Sequence, residues 1–296
     1  MGIKALFIGQ AYIDVTFLSQ SMPVGDEKCV ADDYAFSFGG NAVSAAFCCA
    51  KLGLEAHLIC NVADDWPGRM FQDMARKHHV HLHPRRVHRS SVSFVHPFRG
   101  KRAILRGRDA AYLDTFPIID LASFGAIHLD GHQADAAIHY AKESRAHGIL
   151  TSLDGGRQRA NTEDLLRLTD VAVMSELFCE ETALKPRGVL TYLQMQGCKV
   201  GAVTMGHDGV LWYGDGREGR LPAYFVPSEK IVDTNGAGDI FHGAYLFSYI
   251  REPQKPWEEH FRFASAAAAL SIQTLGIEAS LPKLAEIFAL SVNTCL

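Results

Sequence analysis

The sequence predicts an α/β protein with a mainly parallel central sheet, helices on both faces and a small additional β-sheet. Short apolar runs typical of buried strands alternate with helical patterns along most of the chain. This alternation favours parallel strands joined by crossover helices. Two stretches, residues 12–38 and 92–108, interrupt it with strand-like patterning. The composition, 48% hydrophobic and 21% charged, is that of an ordinary globular protein.

The predicted elements follow in chain order from these patterns. The first strand is the apolar run Ile3–Gly9, which a glycine closes. Small residues dominate the first helix, Ala42–Leu52, which suits close packing, and Gly53 is its expected C-cap. Further strands are expected at 57–62, 126–130, 149–153, 171–174 and 199–204, and further helices at 71–79, 134–147, 162–168 and 190–196.

The two strand-rich stretches lie inside what is otherwise one α/β unit. We expect insertions at about 12–38 and 90–110 to form antiparallel strands and to pair into a small β lid. The chain of 296 residues shows no internal repeat, low-complexity tract or linker. The sequence therefore predicts a single domain over residues 1–296 that carries this lid.

Charge and cysteine content exclude several classes of protein. The 29 Lys and Arg against 33 Asp and Glu give a net charge of −4, which offers no electrostatic basis for nucleic-acid binding. The longest uncharged stretch, 34–50, has Gly39, Gly40 and Asn41 in its middle and is a poor membrane span. An odd number of cysteines, seven, without C-x-x-C is typical of a reducing compartment. We expect a cytoplasmic protein that binds neither nucleic acid nor membrane.

The strongest chemical signal is a Gly-Ala-Gly-Asp turn, residues 236–239, that leads directly into an apolar helical pattern. Glycines let the backbone come close to a ligand, and the first N–H groups of a helix attract anions. A carboxylate at Asp239 is placed to deprotonate a hydroxyl while those N–H groups hold phosphoryl charge. The alternative interpretation is a tight turn with Asp239 as a helix cap.

The full string Val232–Asp239 resembles the Asp-Thr-x-Gly-Ala-Gly-Asp signature of the ribokinase-like (PfkB) carbohydrate and purine kinases. Phe38–Asn41 with the helix after it resembles the Gly-Gly signature of that family. Asn61–Gly68 resembles its Gly-x-Asp-Asp-x-x-Gly segment, and Thr204–Gly209 its Thr-x-Gly-x-x-Gly nucleotide turn. The resemblance spans nearly the whole chain and implies a three-layer α/β/α fold and ATP-dependent phosphorylation of a sugar or sugar derivative.

The resemblance implies a role for each matching residue. Asp239 would be the catalytic base, beside an anion hole formed by Gly236, Ala237 and Gly238. The sugar would be held by Asp14, Gly39, Gly40 and Asn41. The nucleotide would be bound by Thr204, Gly206, Gly209 and Thr234. Mg²⁺ would accompany ATP, and Asp233 lies where some relatives bind a monovalent cation such as K⁺.

Two positions depart from the pattern of the family. Ser44, a further candidate for binding the sugar, stands where an Asn is usual, and its hydroxyl can still hydrogen-bond but has a shorter reach. The Asn-x-x-Glu motif tied to magnesium falls at 175–178, where Ser175 and Phe178 replace its defining residues. Glu176 or Glu180 would then handle the metal, of which we take Glu176 as the candidate.

Basic residues gather in the two predicted lid insertions: Lys28, Arg99, Lys101, Arg102, Arg106 and Arg108. They are typical of a solvated strand face or a subunit contact. The sharper hypothesis is that Lys28 and Arg106 bind an anionic group of the substrate, since Arg favours carboxylate, sulfonate and phosphate. The chain also resembles the branch of the family that phosphorylates sulfofructose.

Alternatives remain for the function. The family also contains nucleoside kinases. A lid lined with aromatic residues, for which Tyr12, Phe36 and Phe98 are the candidates, would favour binding of a nucleobase. A sugar- or nucleotide-binding regulator without catalysis is the other alternative, against which the intact Asp239 argues. An exposed lid sheet could also join two subunits through its edge strands.

Two further motifs are discounted. The G-x-G-x-x-G at 214–219 leads into an extended segment rather than a helix, so it predicts a hairpin and not a dinucleotide site. The histidines at 78, 79, 81 and 83 favour an incidental surface cluster, since no carboxylate or cysteine nearby in the sequence completes a metal site.

Overall fold

The structure, a computed structural model, describes residues 4–98 and 101–292. The strands are β1 Lys4–Gly9, β2 Tyr12–Leu18, β3 Asp33–Gly39, β4 Glu55–Val62, β5 His81–Arg86, β6 Val92–Phe98, β7 Lys101–Gly107, β8 Phe124–Leu129, β9 Leu150–Gly155, β10 Val171–Ser175, β11 Val200–Thr204, β12 Val210–Gly214 and β13 Arg217–Leu221. The helices are α1 Asn41–Leu52, α2 Trp66–Lys77, α3 Ala134–His147, α4 Thr162–Leu166, α5 Glu176–Thr182, α6 Pro186–Met195, α7 Ala237–Arg251, α8 Trp257–Ser271, α9 Ile277–Ser280 and α10 Leu284–Val292. Ile3, predicted to start the first strand, and Arg99 lie outside the described residues.

A nine-stranded sheet forms the centre of the molecule, in the order β13-β12-β11-β10-β9-β8-β1-β4-β5. The strands from β11 to β5 in this order pair in parallel, and the hairpin β12–β13 continues the sheet antiparallel. The alternation of strands and helices imposes this arrangement, because parallel neighbours need crossover connections. The predicted mainly parallel sheet and the predicted hairpin at 214–219 are confirmed.

A second sheet of four strands has the order β3-β2-β6-β7. It consists of two antiparallel pairs, β2–β3 and β6–β7, joined by a parallel pairing of β2 with β6. The two strand-rich stretches of the sequence thus come together, although two strands and two helices separate them along the chain. We call β3-β2-β6-β7 the small sheet.

Helix α2 begins earlier than the helix expected at 71–79. Asp65 caps it by accepting a hydrogen bond from the Gly68 amide at 2.9 Å, and Pro67 stands in its first turn. Both residues are typical of helix N-termini, but Pro67 and Gly68 are also typical of turns, and the helical pattern is recognisable only from about Phe71 onward. Within the described residues, none of the helices combines the length and apolarity needed to cross a membrane.

Two apolar clusters cover the faces of the central sheet, one with α1, α7 and α8 and the other with α3, α5 and α6. The first cluster fixes the position of α7. Gly243 of α7 packs against the backbone of Ala45 in α1, where an added Cβ would lie 2.5 Å from the Ala45 oxygen. The thiol of Cys49 donates to the Gly243 carbonyl at 3.0 Å. The small-residue helix α1 therefore holds α7 close to the sheet.

Candidate active site

The candidate site lies at the edge of the central sheet where the parallel strands end. The turn 233–236 arrives at this edge and continues into α7. The N-cap residue Gly236 has a φ of 77°, and an added Cβ there would lie 2.9 Å from Ile277. Gly236 has no side chain to cap the helix, and the Ala237 N–H donates to the Thr234 carbonyl at 3.5 Å. The N–H groups at the start of a helix can attract an anion.

Asp233 holds this turn in place. One carboxylate oxygen accepts the Asn235 N–H at 2.9 Å and the other accepts the Gly276 N–H at 3.2 Å. Burial raises the pKa of Asp233, which the two backbone hydrogen bonds oppose. Its observed contacts therefore bind the turn to the segment before α9.

Asp239 lies in the first turn of α7 and is partly buried. Burial raises the pKa of its carboxyl to about 7, and the carboxylates of Asp154 and Asp14 act in the same direction. The guanidinium groups of Arg102 and Arg106 act against this rise. A carboxylate that changes protonation near neutral pH is suited to accept a proton from a hydroxyl.

Asp14 belongs to the small sheet and faces the same site. The register places Ser37, Asp14, Ser93 and Arg106 side by side across its four strands, so these side chains share one face. One oxygen of Asp14 accepts a hydrogen bond from the Asn235 side chain at 3.0 Å. The small sheet is thereby connected to the turn that precedes Asp239.

The Gly-Gly-Asn segment approaches from the start of α1. Gly40 has a φ of 108°, and a Cβ there would lie 2.0 Å from the Gln10 carbonyl oxygen, so only glycine fits. A Cβ on Gly39 would lie 2.4 Å from the carboxyl of Asp14. The Asn41 amide donates to the Asp154 carboxylate at 3.0 Å. Ser44, predicted to contact the substrate, is fully buried one turn farther along α1.

A buried polar group lies behind the site, and the sequence motifs did not indicate its carboxylate, Asp154. Asp154, near the end of β9, lies 3.5 Å from Nε2 of His242, which is one turn after Asp239. Ser152 and Tyr245 complete a chain of contacts from His128 to His242. Burial lowers the pKa of His242 and His128 to about 3 and raises the pKa of Asp154. The charge of the Asp154 carboxylate in turn raises the pKa of Asp239.

Asp130 is a second buried carboxylate at this edge, directly after β8. Its oxygens accept the backbone N–H groups of Gln10, Ala42 and His132 at 2.9–3.4 Å. Burial alone would raise its pKa, but the charges of His132 and Arg159 and the hydrogen bonds from His132 lower it to about 2. A signal existed for both carboxylates, since each lies at the end of a predicted strand and such ends meet at one edge of a parallel sheet.

The predicted nucleotide residues lie farther along the same edge. The Thr204 hydroxyl, at the end of β11, donates to the Met174 carbonyl at 3.4 Å. Gly206 and Gly209, both with positive φ, frame the turn that follows. Thr234 accepts a hydrogen bond from Arg102 at 3.5 Å. Glu176 is exposed at the first position of α5, directly after β10.

The basic residues separate into two groups. Strand β7 alternates so that Arg102 and Arg106 share the face of the small sheet that carries Asp14. The Arg106 guanidinium lies 5.0 Å from the ring centre of Tyr12. Lys28, predicted to bind the substrate, lies instead in the exposed segment between β2 and β3. Arg102, one of the basic residues of the predicted insertions, thus contacts the turn through Thr234.

Comparison with known proteins agrees with this geometry. Residues 3–284 match the pfkB family carbohydrate kinases. A ribokinase from Mus musculus is 23% identical over 93% of this chain and 90% of its own length. A putative ribokinase from Agrobacterium tumefaciens superposes with a TM-score of 0.90 at 26% identity, covering 100% of this chain and 99% of the other. Arabidopsis thaliana ribokinase, solved with ribose and ATP, gives a TM-score of 0.82 at 24% identity, covering 98% and 99%.

The match over 3–284 covers almost the entire sequence and includes each of the site segments described above. The predicted three-layer α/β/α fold with its small β-sheet is confirmed by these structural neighbours. The chain therefore belongs to the pfkB family of carbohydrate kinases and is an ATP-dependent carbohydrate kinase.

Proposed function

We propose that the protein transfers the γ-phosphoryl group of ATP to a hydroxyl of a sugar or sugar derivative, with Asp239 as general base. The observation that carries this proposal is the hydrogen bond between Asn235 and Asp14. It brings a carboxylate suited to binding sugar hydroxyls next to the turn that opens α7. The acceptor hydroxyl would then lie between Asp14 and Asp239.

The proton and the phosphoryl charge go to different groups in this mechanism. Asp239 accepts the proton of the attacking hydroxyl, and its raised pKa suits this transfer near neutral pH. The N–H groups of Gly236, Ala237 and Gly238 stabilise the oxygens of the transferred group. An added Cβ on Gly238 would meet no atom within 4 Å, which leaves room for a phosphoryl group at this point.

Asp14 and Asn41 orient the sugar from two sides. An ionised carboxylate accepts two hydroxyl hydrogen bonds, and an amide both donates and accepts. Gly39 and Gly40 let the backbone come close, which gives the sugar a wall without side chains. We propose that the small sheet acts as the lid of a single domain over 1–296, because it supplies Asp14 from above the edge of the central sheet.

In this proposal ATP binds along the edge from Thr204, Gly206 and Gly209 to Thr234. In enzymes that use ATP, Mg²⁺ is held by a few protein carboxylates together with the nucleotide phosphates, whose charge it neutralises. The exposed carboxylate of Glu176 fits such a role. Asp233 fits a metal less well, because both of its oxygens already accept backbone N–H groups.

We further propose an anionic substituent on the substrate, bound by Arg102 and Arg106. Both side chains are exposed on the face of the small sheet that carries Asp14. Their charges act on Asp239, so they lie close enough to influence the site. Sulfonate, carboxylate and phosphate sugars are the matching chemical classes.

The aromatic residues of the small sheet favour a sugar kinase over a nucleoside kinase. Phe36 pairs with Val15 and Phe98 with Lys101, and this register puts both rings on the face opposite to Asp14. Only Tyr12 of the three predicted aromatic residues remains beside the site, where Arg106 covers its ring. A nucleobase would therefore find one aromatic ring rather than a stacking pocket.

One steady-state screen tests the proposal. Turnover of ATP is measured with neutral sugars, sugar acids, sulfonated sugars, sugar phosphates and nucleosides. We expect turnover with sugars and the highest kcat/KM with an anionic sugar.

Arg106→Gln should raise KM for the anionic sugar at least about tenfold and leave KM for a neutral sugar unchanged, while Lys28→Gln serves as an exposed basic control. Preference for neutral fructose or ribose would exclude the anionic substituent, and turnover only with nucleosides would exclude the sugar.

A further inference from the structure

Four ionisable side chains gather at the opposite end of the central sheet, where the parallel strands begin. Glu55 and His57 lie on β4, and His81 and His83 on the neighbouring edge strand β5. His57 pairs with His81 and Ile59 with His83, so the four side chains share one face. The carboxylate missing from the histidine run in the sequence is thus supplied by an adjacent strand.

We propose that Glu55, His57 and His81 form a binding site for a divalent cation of the zinc class. One carboxylate oxygen and one nitrogen from each ring lie within 4.8 Å of one another. Two imidazoles and a carboxylate form a donor set that Zn²⁺, Co²⁺, Ni²⁺ and Cu²⁺ prefer, whereas Mg²⁺ prefers oxygen ligands alone.

The separations are close to those of a tetrahedral ion. The Glu55 oxygen and His57 Nε2 lie 3.0 Å apart, and two ligands at zinc-bond length would be separated by about 3.3 Å. The His81 ring stacks on His57 with centroids 4.7 Å apart. His81 is exposed and can turn its nitrogen inward, which leaves the outer coordination position open to water or a small ligand.

His83 supplies the support that a metal-binding histidine needs. Its Nε2 lies 2.9 Å from Nδ1 of His57, so it orients that ring and leaves Nε2 directed at Glu55. Phe124 packs edge-on against the other side of the His57 ring.

Lys4 is the charged neighbour that competes for this site. Its ammonium lies 2.9 Å from the same Glu55 oxygen that faces His57. The Lys4 side chain is about a third exposed, so it can swing into water when a metal takes its place. Removing this charge is therefore expected to strengthen metal binding.

The site is separate from the proposed phosphoryl transfer. Strand β4 runs from Glu55 to Val62, so the two ends of the sheet are about 20 Å apart. Kinase activity with Mg²⁺ and ATP hence reports on folding and not on this metal. A bound ion would also tie the edge strand β5 to β4.

The experiment is a calorimetric titration of the full-length protein, freed of metal by a chelator, with Zn²⁺ in the presence of millimolar Mg²⁺. We expect one Zn²⁺ per chain with micromolar affinity, and an intense visible absorption when Co²⁺ replaces it. His57→Ala and His81→Ala should abolish both signals while keeping kinase activity. His83→Ala should weaken binding about 10- to 100-fold, and Lys4→Met should strengthen it.

His207→Ala is the matched control, since this histidine is 97% exposed and lies outside the cluster. It should bind Zn²⁺ as the unmodified protein does. Absence of micromolar binding would overturn the proposal, and so would unchanged binding in His57→Ala and His81→Ala. Equal loss in His207→Ala would likewise identify non-specific surface chelation.

Discussion

At the scale of single residues, Asp239 carries the strongest expectation. Replacing it by Asn preserves shape and hydrogen bonding but removes the proton acceptor. Turnover should fall at least about 100-fold, as is typical when a general base is lost. A coupled ATPase assay measures the effect, and an unchanged thermal unfolding curve shows that α7 remains intact. Turnover within tenfold of the original would assign the base to another group.

Asp154 is expected to set the pH at which Asp239 works. Asp239 accepts a proton only when it is ionised, so kcat/KM should rise as the pH increases through about 7. The negative charge of Asp154 contributes to that raised pKa. In Asp154→Asn the pKa of Asp239 is lower, and the rising limb of the profile moves to lower pH.

The pH profile of Asp154→Asn separates this electrostatic role from a structural one. Asn can still accept the hydrogen bond from Asn41, so the segment at the start of α1 keeps its partner. The control is Asp64→Asn, because the side chain of Asp64 is 91% exposed. This substitution should leave the pH profile unchanged. A lower kcat with an unmoved midpoint would make Asp154 a packing residue only.

At the scale of elements, the contact between α1 and α7 fixes the position of Asp239. Gly243→Ala would place a Cβ 2.5 Å from the Ala45 oxygen and 2.8 Å from the Cys48 Cβ. Overpacking of this kind costs about 1–3 kcal/mol. We expect a lower free energy of unfolding in urea, together with a lower kcat because α7 shifts.

Gly188→Ala in α6 is the matched control for this helix contact. The atoms nearest to an added Cβ at Gly188 are 3.7 Å away, in ordinary contact. Alanine inside a helix should stabilise the protein by about 0.5–1 kcal/mol relative to glycine. Similar effects of the two substitutions would show that α1 and α7 have room to separate.

The elements also show why some of the site was predictable and some was not. The 236–239 turn is a local signal, since glycines and an acid stand directly before a helical pattern. Asp154 and His242 come together only through the pairing of β9 with the rest of the sheet and the packing of α7. The separation of Arg102 and Arg106 from Lys28 depends on the register between β6 and β7, which no local pattern in the sequence reveals.

At the scale of the whole molecule, the small sheet has a second, outward face rich in apolar side chains. Leu105 on this face is 75% exposed, and Tyr34 and Phe36 are 62% and 46% exposed. Exposed aromatic and aliphatic groups in one patch are typical of a protein contact. We expect a homodimer through the small sheet.

Light scattering coupled to size-exclusion chromatography tests the dimer. Leu105→Asp should convert it to a monomer because the charge would be buried at the contact. Met195→Asp is the control, since Met195 is 81% exposed on α6, outside the small sheet. A monomeric unmodified protein at micromolar concentration would contradict the expectation.

The parallel pairing of β2 with β6 also has a consequence for local stability. Ile13 pairs with Val92, so the small sheet closes only after the chain between them has folded, and such distant pairings form late. Its two hairpins can therefore open while the central sheet stays closed.

Native-state hydrogen exchange should show the amides of β6 and β7 exchanging through a low-energy opening, and those of β8 and β9 only through global unfolding. Equal protection of both sets would mean a single cooperative unit. If the small sheet does open by itself, the segment that supplies Asp14 can move away and release product without disturbing the rest of the molecule.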